Sequence, residues 1–133
     1  MAWISWGAKH ATGHSGMDHG HENLVGLINK LADGMENNKS KEYCSTVLDK
    51  FIEETRTHFA HEEELMDRYR YPNEKEHKAL HATLLKDVLG FKALYDAGDT
   101  VEFVTLLVIL DSWLNRDIMA ADKALADFVA AAS

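Results

Sequence analysis

Residues 41–69 read KEYCSTVLDKFIEETRTHFAHEEELMDRY, and the spacing within this stretch decides the fold. Cys44, Leu48, Phe51, Thr55, His58, Glu62, Leu65 and Tyr69 recur at alternating steps of four and three, which puts them on one face of a helix. No Gly or Pro interrupts the run, and helix formers fill its other face. His58 and Glu62 break the pattern, because they occupy positions where apolar side chains belong. A buried polar group without a partner costs several kcal/mol, so these two must meet hydrogen-bonding groups or a metal.

Turn signals divide the rest of the chain around this helix. Residues 13–20 read as irregular; Asn37-Asn38-Lys39-Ser40, Arg70-Tyr71-Pro72-Asn73 and Asp96-Ala97-Gly98-Asp99 mark three breaks. Asn73 with Glu76, and Asp99 with Glu102, have the spacing of a helix cap answered from the third helical position. Helices are expected over about 19–37, 41–69, 74–96 and 100–118. The other stripes run His21, Leu24, Ile28, Leu31, Met35; His77, His81, Leu84, Val88, Phe91, Tyr95; and Phe103, Leu106, Leu110, Trp113, Asp117. Four such seams joined by short loops predict an all-α, up-down-up-down antiparallel four-helix bundle. The expected organisation is a single domain over 1–133, with an N-terminal arm (about 1–18), the bundle (about 19–118) and a tail (about 119–133) holding a short C-terminal helix.

Composition narrows the function. A formal charge of −8, with fourteen dispersed Lys and Arg, excludes nucleic acid as a partner. The longest apolar run, Val104 to Leu110, is too short to span a bilayer, so no membrane role is expected. A lone Cys44 and a start with no signal-peptide pattern point to a reducing, cytoplasmic setting. Eight histidines are many for 133 residues, and His is the commonest transition-metal ligand.

Six polar, metal-capable residues stand on the seams: His21, His58, Glu62, His77, His81 and Asp117. Any one alone reads as a hydrogen-bonded core residue. Together they converge, since at about 1.5 Å per residue their distances from the loops bring them to similar heights in antiparallel helices. His58/Glu62 and His77/His81 are i, i+4 pairs that can grip neighbouring metals. Imidazoles with carboxylates suit iron, manganese or zinc better than calcium or magnesium. The set is too large for one tetrahedral zinc and suits two octahedral metals bridged by carboxylates. Asp122 offers a further bridge, although its five-residue step from Asp117 leaves the seam.

Several separated stretches resemble the hemerythrin family. They are Gly16-Met17-Asp18-His19-Gly20-His21-Glu22-Asn23-Leu24, His58-Phe59-Ala60-His61-Glu62-Glu63, Tyr71-Pro72 followed by His77 and His81, and Trp113-Leu114 followed by Asp122. Trp3 or Trp6 and Leu27-Ile28-Asn29 also resemble bacterial members. The resemblance implies two iron ions bridged by Glu62, Asp122 and an oxo or hydroxo group, with His21 and His58 on the dioxygen-binding iron and His77 and His81 on the other. It departs at Asp117, where the family places a third histidine for the second iron. An aspartate there is shorter and anionic, and favours the ferric state. The resemblance thus implies a dioxygen-binding protein for storage, delivery or sensing. The alternative is a di-iron enzyme acting on dioxygen, peroxide or nitric oxide; a third reading is a structural metal-binding bundle. Dioxygen is the expected partner, with a redox or oxygen-consuming protein beside it, and the chain is expected to be monomeric.

The remaining features read more plainly. His10, His14 and His19 are expected in a solvated lead-in, and Glu53, Glu54, Glu63 and Glu64 on a solvated face. His61 lies beside the seam and is the candidate to replace the missing ligand; Phe59 and Trp113 are expected to wall the metal layer. Cys44 is expected in the core at the far end of the bundle.

Overall fold

The computed structural model describes residues 10–98, 103–113 and 120–132. The chain runs through α1 (Ser15–Glu36), α2 (Lys41–Tyr69), α3 (Glu74–Asp96), α4 (Phe103–Ser112) and α5 (Lys123–Ala132). It is the expected all-α antiparallel four-helix bundle with a short C-terminal helix. Among the described residues no helix is long and apolar enough to cross a membrane.

The local chemistry explains where the helices start. Ser40 caps α2 by accepting from the Tyr43 N–H at 3.1 Å. α1 begins at Ser15, four residues before the expected start, because His14 acts as its cap and its Nδ1 accepts from the Met17 N–H at 3.2 Å. Gly16 and Gly20 therefore lie inside a helix that the glycine spacing had placed in an irregular segment. Asn73 does stand at the cap of α3, but its side chain makes no capping bond. The Asp99–Glu102 pair falls outside the described residues.

The seams are where periodicity put them. Leu24, Ile28, Leu31, Leu48, Phe51, Leu84, Val88, Phe91, Leu106, Leu110 and Trp113 are all buried in one apolar cluster. Cys44 is buried in the same cluster, as expected. A second, smaller cluster forms from Met17, Leu65, Met66, Tyr71, Leu125, Ala126 and Val129. Along each helix the polar seam residues fall between these clusters: His21 between Met17 and Leu24, Glu62 between Phe59 and Leu65, Asp122 between Trp113 and Leu125. α5 is thus the element that closes the apolar lid over the polar layer.

The described part of the arm is not a solvated lead-in. His10 and Thr12 are buried, while His14 is half-buried and His19 is exposed. Asp18 in the first turn of α1 holds the arm down. Its Oδ1 accepts from the Thr12 N–H and hydroxyl, each at 2.7 Å, and its Oδ2 from the Gly13 N–H at 3.2 Å. Lys123 of α5 reaches the Thr12 carbonyl at 3.3 Å, tying arm, α1 and α5 together.

Burial pushes the Asp18 carboxyl up, but the bonds from Thr12 and Gly13 outweigh it and leave it below its ordinary value of 3.8. A depressed carboxyl stabilises the fold above its unfolded pKa and loses that contribution as pH falls through the folded value. Asp18→Ala should therefore cost about 1–2 kcal/mol near neutral pH, from the loss of charge-assisted bonds to the arm. Urea unfolding of parent and variant measures this, and the gap between them should close as the medium is acidified through pH 4 to 2. A gap that is absent at pH 7, or constant down to acid, would show that Asp18 does not anchor the arm.

Candidate metal centre

Three helices and the turn before α5 supply one buried polar layer. His21 comes from α1, His58 and Glu62 from α2, His77 and His81 from α3, and Asp122 from the turn before α5. All six are buried, with Glu62 and His21 fully excluded from solvent.

Glu62 is the hub. Its Oε1 faces the Nε2 atoms of His77 at 3.0 Å and His81 at 3.1 Å, and its Oε2 faces those of His58 at 2.6 Å and His21 at 3.4 Å. Asp122 repeats the division, with Oδ1 2.8 Å from His77 Nε2 and Oδ2 2.7 Å from His21 Nε2. Each carboxylate thus gives one oxygen to each half of the layer. Two donor groups result, His21/His58/Glu62/Asp122 and Glu62/His77/His81/Asp122, each with ligand atoms within 4.8 Å of one another.

The close contacts are not all hydrogen bonds. His58 Nε2 and Glu62 Oε2 are buried and only 2.6 Å apart, yet among the described residues neither has an aligned hydrogen-bond partner; Asp122 Oδ1 is in the same position. Buried polar atoms left this way are rare and costly. Nitrogen and oxygen lone pairs crowded together without donor–acceptor alignment are what a cation at their centre would satisfy. Each half offers two imidazole nitrogens and two carboxylate oxygens, a mixed set that fits a first-row transition metal.

Electrostatics agree. Burial pushes the Glu62 carboxyl up, but its four imidazole neighbours outweigh it and hold it well below the usual carboxylate range. Burial pushes the His21 and His77 imidazoles down, and the Asp122 and Glu62 carboxylates more than offset this, raising each to about 9. Without metal the layer is therefore balanced by imidazolium groups; a bound cation must replace those protons.

The surroundings fix the rings. Phe59 stacks on His81 with centroids 3.8 Å apart and planes within 2°, and Trp113 meets His21 edge-on at 6.2 Å. Both thus wall the layer, as expected. His21 and His58 pack edge-to-face at 4.4 Å. That approach depends on Gly20, where a Cβ would lie 2.4 Å from His58 Nδ1.

Of the seven ligands expected from sequence, the structure brings six together, and Asp117 lies outside the described residues. Asp122 reaches the layer although it is off the helical seam. Trp113 and residues 120–122 take wider π-helical geometry, which changes which face the chain presents. His61 is exposed, 6.4 Å from the His14 ring, and its ligand atoms do not join either donor group. Glu63, expected on a solvated face, contacts His81 Nδ1 at 3.1 Å. The signal for it was its place beside Glu62, one turn after Phe59.

Comparison with known proteins agrees with this geometry. Residues 12–129 match the hemerythrin HHE cation binding domain. The chain is 30% identical over 131 residues to a bacteriohemerythrin of Stenotrophomonas maltophilia (strain R551-3), covering 98% of this chain and 84% of that one. Myohemerythrin-1 of Phascolopsis gouldii is 29% identical over 118 residues, 88% of this chain and 87% of its own. A crystal structure of a hemerythrin with a leucine-to-tyrosine substitution superposes with a TM-score of 0.87 at 26% identity, covering 97% and 98% of the two chains.

Gly20→Ala tests the packing of the layer. The new methyl group meets the His58 ring, so His58 must swing away from Glu62 or α1 must part from α2. The expected cost is about 1–3 kcal/mol of stability, as for other overpacked cores, with reduced cation content per chain. Thermal melts and elemental analysis of parent and variant check this. Full cation content and an unchanged melt would show that the α1–α2 contact has room for a methyl group at position 20.

Proposed function

Because the chain belongs to the hemerythrin family, we propose that it holds two iron ions in the His/Glu/Asp layer and binds dioxygen there. The observation that carries this reading is the division of Glu62 and Asp122, each with one oxygen on either side of the layer. A single-metal site has no use for two shared carboxylates. In this reading His21 and His58 would hold one iron and His77 and His81 the other, with Glu62 and Asp122 shared between them beside an oxo or hydroxo group. When bound, such a pair supplies a two-electron store for dioxygen.

The chain's own residues set the conditions. The two apolar clusters exclude bulk water above and below the layer, and Trp113 and Phe59 close its sides. Each half has four protein donors, fewer than six-coordinate iron takes, so sites remain for small ligands. Asp117 is proposed to stand by the His77/His81 half, where the family resemblance calls for a histidine. Its charge would favour the oxidised metal pair and shorten the life of the reduced protein in air. A di-iron enzyme acting on dioxygen is the reading that gains if that oxidation proves irreversible and productive.

The test is an optical spectrum of the purified, iron-loaded protein, reduced and then cycled between nitrogen and air, with iron counted. Two irons per chain and a reversible colour change are expected. Iron near zero with unchanged helicity would overturn the metal reading; irreversible bleaching would overturn reversible carriage. Asp117→His should slow oxidation of the reduced protein in air at fixed pH and temperature. Equal or faster oxidation in the variant would show that Asp117 does not control the site.

A further inference from the structure

We infer that Glu63 is a positioning residue that sets the ring orientation of His81 and the redox balance of the metal on its side. The inference rests on the metal-centre reading and deepens it. His81 is held on three sides, all from α2. Its Nε2 faces Glu62 Oε1 at 3.1 Å, its ring lies flat on Phe59 at 3.8 Å, and its Nδ1 lies 3.1 Å from Glu63 Oε2. Phe59 and Glu63 are one helical turn apart, so α2 presents a flat wall and an acceptor to the same ring of α3.

The contact assigns the proton. A carboxylate at Nδ1 requires the N–H there, which leaves the Nε2 lone pair for the metal layer. Carboxylate–histidine–metal relays of this kind fix the tautomer and strengthen the imidazole as a donor. His77 differs, since its buried Nδ1 has no hydrogen-bond partner among the described residues. The two histidines of this half are therefore unequal. His81 is the stronger donor, and the charge of Glu63 favours the higher oxidation state of the iron it holds.

Glu63 is about a third exposed and lies outside the apolar core, so its replacement leaves the packing intact. The experiment compares the full iron-loaded parent chain with Glu63→Ala, Glu63→Gln and, as a control for surface charge, Glu64→Ala. Two quantities are read: the rate of iron loss to a chelator and the midpoint potential. Glu63→Ala should lose iron about 10–100-fold more readily and shift the potential to more positive values. Glu63→Gln keeps a neutral acceptor at Nδ1, so it should recover retention while the potential stays raised. Glu64→Ala should match the parent in both.

Iron is counted in the parent first. A parent without iron overturns the proposed function and this inference with it. A loaded parent that Glu63→Ala matches in both readouts overturns only the role of Glu63. Loss of retention in Glu63→Ala with no change in potential, or no recovery in Glu63→Gln, overturns it also, because either would reduce Glu63 to packing.

Discussion

Two carboxylates buried among four imidazoles are the constraint on which the rest of this structure depends. Glu62 and Asp122 could not be ionised in an apolar interior alone, because desolvation costs several kcal/mol for each charge. Their neighbours return that energy: the imidazoles hold the Glu62 carboxyl low, and the carboxylates raise His21 and His77 to about 9. Such a layer is stable only while every member is in place, since removing one partner strands a buried charge on another. It behaves as one unit, and the helices that carry it must arrive at one height.

Several otherwise puzzling local choices follow from that demand. A glycine stands inside α1 at position 20, at a cost of roughly 0.5–1 kcal/mol in helix propensity, because His58 needs the space. The chain leaves α-helical spacing at Trp113 and residues 120–122. Trp113 and Asp122 are nine residues apart, and at about 100° per residue a regular helix would set them roughly half a turn out of phase. The indole and the carboxylate are both buried nevertheless, and the described departure from α-helical spacing lies at Trp113 and residues 120–122. α5 and the arm then close the open end, with Lys123 and Asp18 both bound to the segment around Thr12.

These points also mark what periodicity can read. The seam positions of α1 to α3, five of the donors among them, were legible because a regular helix repeats its face. The bundle followed from the same steps of three and four. Asp122 was not legible from spacing, because a π-helical turn breaks the repeat; only its place in a family pattern marked it. The start of α1 was misplaced because His14 is an uncommon cap and the glycines around it resemble a break. Glu63 was hidden by its acidic neighbours: a run of Glu reads as solvated, and only the position of α3 shows that one of its carboxylates turns inward.

The layer also divides the labour of stability and chemistry. The larger apolar cluster runs from Leu24 past Phe51 to Leu110 and owes nothing to a metal, so the far end of the bundle can fold first and hold the donors in register. The smaller cluster at Met17, Met66 and Leu125 has little area of its own and depends on α5 and the arm. Local opening should therefore concentrate at that end, which is where the donors sit. A cation bound between the clusters would link them through three helices and the turn before α5, so its binding free energy would add to the stability of the weaker end. On the proposed function, the end of the bundle expected to open most easily is also the end through which a metal and then a small ligand would enter, while the larger core would keep the donor geometry from relaxing.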